Sequence, residues 1–119
     1  LRSATPRPGR AVEALDRSLA QILPAADPSE TAIVITADHG NAEEKLDPKT
    51  GHAKTAHTVN PVPLHLIAQG FERSKTPEQI DQAKQEVRGL LTDVAPTVLE
   101  LLGLAKPEAM TGQSLLKFL

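Results

Sequence analysis

The chain has no cysteine, no tryptophan and no tyrosine, and only two phenylalanines and one methionine among its 119 residues. Without cysteine there is neither a disulfide framework nor a thiolate metal site, so any metal must be held by oxygen and imidazole nitrogen. Without large aromatics the core has to be assembled from Leu, Val, Ile and Ala, and a chain of this size then buries only a marginal core by itself. No apolar run approaches the roughly 18 residues that span a bilayer. The basic start, LRSATPRPGR, is followed by no apolar stretch of the kind a signal peptide carries. The expectation is a cytoplasmic chain. Thirteen Lys and Arg against fifteen Asp and Glu leave a net charge of -2 with both signs interspersed. That gives no basic footprint for nucleic acid and no polybasic patch for a membrane.

What is present fits a small soluble domain: 39% apolar and 24% charged residues, near the usual globular balance. Residues 1–10, with two prolines, a glycine and three arginines, read as irregular, and residues 11–119 as one partial domain. Val12, Leu15, Leu19 and Ile22 recur at helical spacing, which predicts a helix over 11–23 ended by Pro24, Asp27 and Pro28. Residues 32–36, AIVIT, form a short β-branched run without polar alternation. That pattern is expected of a strand buried on both faces, as in a parallel sheet. A second strand is expected over 62–68, VPLHLIA, where Pro63 argues for an edge or for the first residues of the strand. Residues 77–90 predict a helix with a narrow apolar face (Ile80, Ala83, Val87), capped by Thr76 with Pro77 in first position. Residues 93–102 predict the best helix, stopped at Gly103. Leu115, Leu116, Phe118 and Leu119 make an apolar tail that should dock. The order points to an α/β layered domain. Two strands make a poor sheet alone, so further strands outside this sequence are expected beside them.

Between the two strands lies a polar stretch, 37–60, holding three of the four histidines. A structureless segment of that length inside a compact domain is usually functional or disordered. It opens with Thr36-Ala37-Asp38-His39-Gly40-Asn41 at the carboxyl end of the first strand, where ligand sites of open α/β sheets gather. Asp38 offers a hard oxygen and His39 a nitrogen. Neighbours on a strand point to opposite faces, so both reach one ion only if the chain turns, and Gly40 makes a turn easy. A mixed O/N set suits Mn, Zn or Fe better than Ca. The tripeptide alone equally describes a metal-free turn. His57, in Thr55-Ala56-His57-Thr58, precedes the second strand and can swing toward the end of the first; alone it also reads as a solvated loop histidine. His52 matches no ligand pattern, and His65, between Leu64 and Leu66, reads as a packed or hydrogen-bonded strand residue or as one that points to the opposite face. Glu43 and Glu44 read as a solvated acidic loop or as outer contacts to the site, and Lys45, Lys49 and Lys54 as solubilising loop residues.

Taken together, TADHGNAE, a polar loop and then TAHTVNPVP resemble the C-terminal part of the cofactor-independent phosphoglycerate mutases, members of the alkaline phosphatase superfamily. AVEALDRSL resembles the helix before that family's TADHGN strand, and LTDVAPTVLELLGL…MTGQSLL its closing helix and tail. The resemblance runs from about Ala11 to Leu116. It implies an alkaline-phosphatase-like layered domain with a mostly parallel sheet flanked by helices, of which this chain would be a C-terminal fragment.

The resemblance also implies a site. Family enzymes hold two Mn²⁺ ions (Zn²⁺, Co²⁺ or Mg²⁺ being alternatives) beside a serine that is transiently phosphorylated. Asp38 and His39 would bind the metal that activates the serine, and His57 the other. The implied reaction interconverts 3-phosphoglycerate and 2-phosphoglycerate in glycolysis, in an enzyme that is monomeric when complete and has no nucleic-acid or membrane partner. The serine, one metal-binding aspartate and an Asp-x-x-x-His ligand pair have no counterpart here. The substrate-gripping basic residues are absent too, so the isolated chain is expected to be inactive. Lys54 stands where many family members have histidine, which bears on the support of His57. Two other readings stay open: another enzyme of the superfamily, such as a phosphopentomutase or a phosphodiesterase, or a non-catalytic remnant or assembly module.

Overall fold

A computed structural model describes residues 8–45, 51–52 and 56–119. These residues fall into two compact units. One takes the chain through Thr31 together with His39–Asn60; the other takes Ala32–Asp38 with Pro61–Leu119.

In the first unit, α1 spans Pro8–Ile22 and runs into a 3-10 turn at Leu23–Ala25. The helix therefore begins inside the segment expected to be irregular; residues 1–7 lie outside the described part. Pro8 takes the first helical position, where its missing N–H costs nothing. The helix closes where expected, and Asp27 shapes the following turn by accepting from the Ser29 N–H at 2.9 Å and the Ser29 hydroxyl at 2.7 Å. The apolar stripe is amphipathic as read, but Val12, Leu15 and Ile22 are more than half exposed. Only Leu19 is half-buried.

The second unit holds the sheet. β1 (Ile33–Ile35) and β2 (His65–Ile67) pair antiparallel, with Ile33 opposite Ile67, Val34 opposite Leu66 and Ile35 opposite His65. The parallel pairing expected of β1 is not what these two strands do. A parallel return requires a crossover of a dozen or more residues, usually helical, and the described residues between the strands contain no helix. All three β1 residues are half-buried rather than enclosed. β2 is three residues long instead of seven: Pro61 and Pro63 have no N–H to give, so pairing starts only beyond them.

α2 (Pro77–Gln85) opens as expected on Thr76, whose hydroxyl accepts from the Gln79 N–H at 3.3 Å while the Gln79 side chain accepts from the Thr76 N–H at 2.9 Å. This reciprocal pair satisfies two helix-end donors. The helix stops at Gln85, five residues short of the expected end, and Val87 is exposed.

α3 (Val94–Leu101) is preceded by a 3-10 turn at Leu91–Asp93. It ends where Gly103 takes φ +66°, with Leu104 N–H on Leu99 O at 2.9 Å and Gly103 N–H on Glu100 O at 3.0 Å. That is a left-handed glycine closure of the helix. The tail packs back here. Leu115 is buried, Thr97 is fully buried, and the Leu115 N–H donates to the Thr97 hydroxyl oxygen at 2.9 Å. Asp93 accepts from the Leu90 N–H and from the Gln113 N–H, both at 2.8 Å, tying the helix start to the tail.

Candidate metal centre

The backbone leaves β1 through Thr36 and Ala37 and bends at Asp38 and His39. Asp38 is exposed and ends its segment of the sheet-bearing unit; His39, half-buried, opens the next segment in the other unit. At Gly40 the chain forms an isolated antiparallel bridge with Thr58, whose N–H donates to Gly40 O at 2.8 Å. Gly40 is not at positive φ, so it is not the turn-forming glycine the sequence suggests. It is there for close approach: a Cβ at Gly40 would collide with the Thr58 hydroxyl and the Glu43 carboxylate.

This bridge brings the two histidines together. The His39 and His57 rings lie with centroids 3.7 Å apart and planes inclined by 41°. His39 Nδ1 is 3.2 Å from Gly40 O. With the proton on Nδ1 donated to that carbonyl, the ring's lone pair sits on Nε2, the arrangement that metal-ligating histidines commonly use. His57 is exposed. No group of three or more His, Asp and Glu side chains gathers into one cluster among the described residues.

Around the pair runs a polar clasp built on Glu43 and Glu44, for which the sequence offers both a solvated acidic loop and outer contacts to the site. The Glu43 carboxylate accepts from the Thr58 hydroxyl, from Asn60 Nδ2 at 3.1 Å and from the Asn41 N–H at 2.8 Å. Glu44 also accepts from Asn60, at 3.0 Å. The Thr58 hydroxyl, first among these donors, holds the Glu43 pKa down from an ordinary 4.5 to about 2. Thr58 is buried while Glu43 remains exposed. The signal was present in the sequence: Thr58 and Asn60 are two apart in an extended segment, so both face one side, and a carboxylate follows the first histidine at short range. Lys45 donates to the Asn41 side chain, leaving less of a free solubilising charge than expected.

His52 sits on exposed backbone, and Lys49 and Lys54 lie outside the described residues. His65 is exposed on β2 rather than packed, and with Arg73, Lys75 and Phe71 it lines a cavity of about 330 Å³ in the sheet-bearing unit.

Within its unit the chain folds His57 against His39. The chain belongs to the metalloenzyme superfamily, whose profile matches residues 5–106. Membership implies use of a divalent metal. The curated relatives narrow the comparison. The chain is 46% identical over 111 residues to the 2,3-bisphosphoglycerate-independent phosphoglycerate mutase of Herpetosiphon aurantiacus, covering 91% of this chain and 19% of that protein. It is 44% identical over 107 residues to the enzymes of the same name from Ruegeria pomeroyi and Methanosarcina acetivorans, in each case covering 90% of this chain and 19% of the relative. It thus spans about a fifth of the length of the relatives it matches.

Proposed function

We propose that this chain is the metal-binding C-terminal part of a 2,3-bisphosphoglycerate-independent phosphoglycerate mutase, an isomerase of glycolysis that interconverts 3-phosphoglycerate and 2-phosphoglycerate. The observation that carries the reading is the His39–His57 ring contact, in a chain 41–46% identical to enzymes of that name. Asp38, His39 and His57 would hold the metal, with Asp38 and His39 serving one ion and His57 its neighbour. A carboxylate and an imidazole for one ion and an imidazole for the other are donors that suit Mn²⁺, with Zn²⁺, Co²⁺ and Mg²⁺ as alternatives. Bound divalent ions supply charge neutralisation for phosphoryl oxygens and lower the pKa of a hydroxyl nucleophile. The contribution of this chain is to hold the donors: the Gly40 carbonyl orients His39 through Nδ1, and the Gly40–Thr58 bridge keeps the His57 segment beside it.

The exposed apolar stripe of α1 and the half-buried β1 support a further part of the reading. They are surfaces for a larger layered domain whose sheet is mostly parallel, with β2 as an antiparallel member, as mixed α/β sheets often have. The same reading makes the complete enzyme a cytoplasmic monomer with a small phosphorylated metabolite as its partner, and with neither nucleic acid nor membrane.

A chimera tests the function. The matching segment of the Herpetosiphon aurantiacus enzyme is replaced by this chain, and mutase turnover is followed in a coupled assay with Mn²⁺. Turnover is expected, with loss of at least about 100-fold on His57→Ala, within the range that acid–base and metal-site residues contribute. A folded, metal-loaded chimera without turnover would refute the mutase reading. Turnover on a phosphopentose or a phosphodiester instead would identify another superfamily activity.

A further inference from the structure

We propose that Glu43 is a positioning residue that holds His39 and His57 together. One carboxylate grips the neighbours of both histidines: Asn41, two residues after His39, and Thr58, immediately after His57. Its Oε1 accepts from the Thr58 hydroxyl and from Asn60 Nδ2, and its Oε2 accepts from the Asn41 N–H. Glu44 adds a second acceptor for Asn60. The bonds to Thr58 and Asn60 link residues 15 to 17 apart in sequence, whereas among the described residues the backbone joins the two segments at the Gly40–Thr58 bridge. A single isolated bridge pairs one residue with one other across the two segments. The carboxylate adds three bonds that lock both flanks.

Three features distinguish this from a solvated acidic loop. Thr58 is buried, so its hydroxyl has little water to turn to if Glu43 is removed. Gly40 has no room for a side chain because the Glu43 carboxylate and the Thr58 hydroxyl occupy that space. Bonds from three neutral donors to an ionised acceptor are the stronger kind, and the low Glu43 pKa agrees with them. The consequence for metal affinity rests on the metal reading above; the consequence for the ring contact does not.

The test is therefore made in two arms on the 119-residue chain. In metal-free protein, NMR cross-peaks between the His39 and His57 ring protons report their contact. They are expected in the wild type, lost in Glu43→Ala and in Thr58→Val, and kept in Glu43→Gln and Thr58→Ser. Gln retains the carbonyl oxygen that accepts from Thr58 and Asn60, and Ser retains the hydroxyl. Leu19 and Leu115 methyl signals, one from each unit, at their wild-type positions show that each variant is folded. Cross-peaks that persist in both Glu43→Ala and Thr58→Val, or that are absent from the wild type, overturn the proposal. In the second arm, calorimetry with Zn²⁺ is expected to show about 10-fold weaker binding for Glu43→Ala, the loss typical of removing a group that supports a ligand, with recovery in Glu43→Gln. Failure of the wild type to bind Zn²⁺, with the cross-peaks behaving as expected, removes the metal reading and supports the positioning role. Equal Zn²⁺ affinity in wild type and Glu43→Ala counts against positioning.

Discussion

At Gly40 the backbone, the Thr58 hydroxyl and the Glu43 carboxylate converge on space that any Cβ would fill. Gly40→Ala is expected to cost about 1–3 kcal/mol of unit stability, the usual penalty of overpacking, and to separate the His39 and His57 rings. Denaturant unfolding and the ring cross-peaks read the two effects. Glu43 gives a second expectation. Its pKa is depressed from 4.5 to about 2, chiefly by the Thr58 hydroxyl. A folded-state pKa below the unfolded one means stabilisation that is fully present above about pH 4.5 and is lost as pH falls toward 2. A side-chain carboxyl titration of Glu43 is expected to show its midpoint near 2 in wild type and a clear rise in Thr58→Val; a wild-type midpoint near 4.5 would deny the clasp. Asp93 behaves alike in direction, held below the ordinary carboxylate range by the Gln113 and Leu90 N–H groups.

Among the elements, α3 and the tail carry the tightest packing. Thr97 is fully buried, its hydroxyl donating to Asp93 O at 2.7 Å and accepting from the Leu115 N–H at 2.9 Å. Thr97→Val keeps the shape and strands a buried donor, so a loss of about 1–3 kcal/mol is expected, with Thr97→Ser closer to wild type. Thermal unfolding of the three proteins checks the order. Gly103→Ala is expected to cost roughly 1–2 kcal/mol because φ there is left-handed. These elements were legible because their signals are local: the Thr76 cap, Pro77 in first position, Gly103 after the last turn. β2 and α2 came out shorter than their apolar patterns suggested. Backbone donors are missing at Pro61 and Pro63, and the narrow face of 77–90 buries too little to continue past Gln85. The antiparallel pairing was not legible, since a short apolar run does not say which way its neighbour runs. The clasp was legible only in part: Thr58 and Asn60, two apart in an extended segment, share a side, but their joining to Glu43 across the intervening loop has no local signal.

For the whole molecule, the chain spans about a fifth of its curated relatives, and α1 presents Val12, Leu15 and Ile22 outward. Among the described residues no helix is long and apolar enough to cross a membrane. The three proposed ligands are fewer than the roughly six to eight that two closed ion sites require. The 119 residues by themselves are therefore expected to show no mutase turnover in a coupled assay with added Mn²⁺. On the proposal above, the chain binds metal through Asp38, His39 and His57. Calorimetric titration of the chain with Mn²⁺ tests it most directly, with His57→Ala and the triple variant Asp38→Ala/His39→Ala/His57→Ala alongside. Measurable binding is expected for wild type, weaker binding for His57→Ala and none for the triple variant. Equal binding by wild type and triple variant, or no binding by wild type, would contradict it.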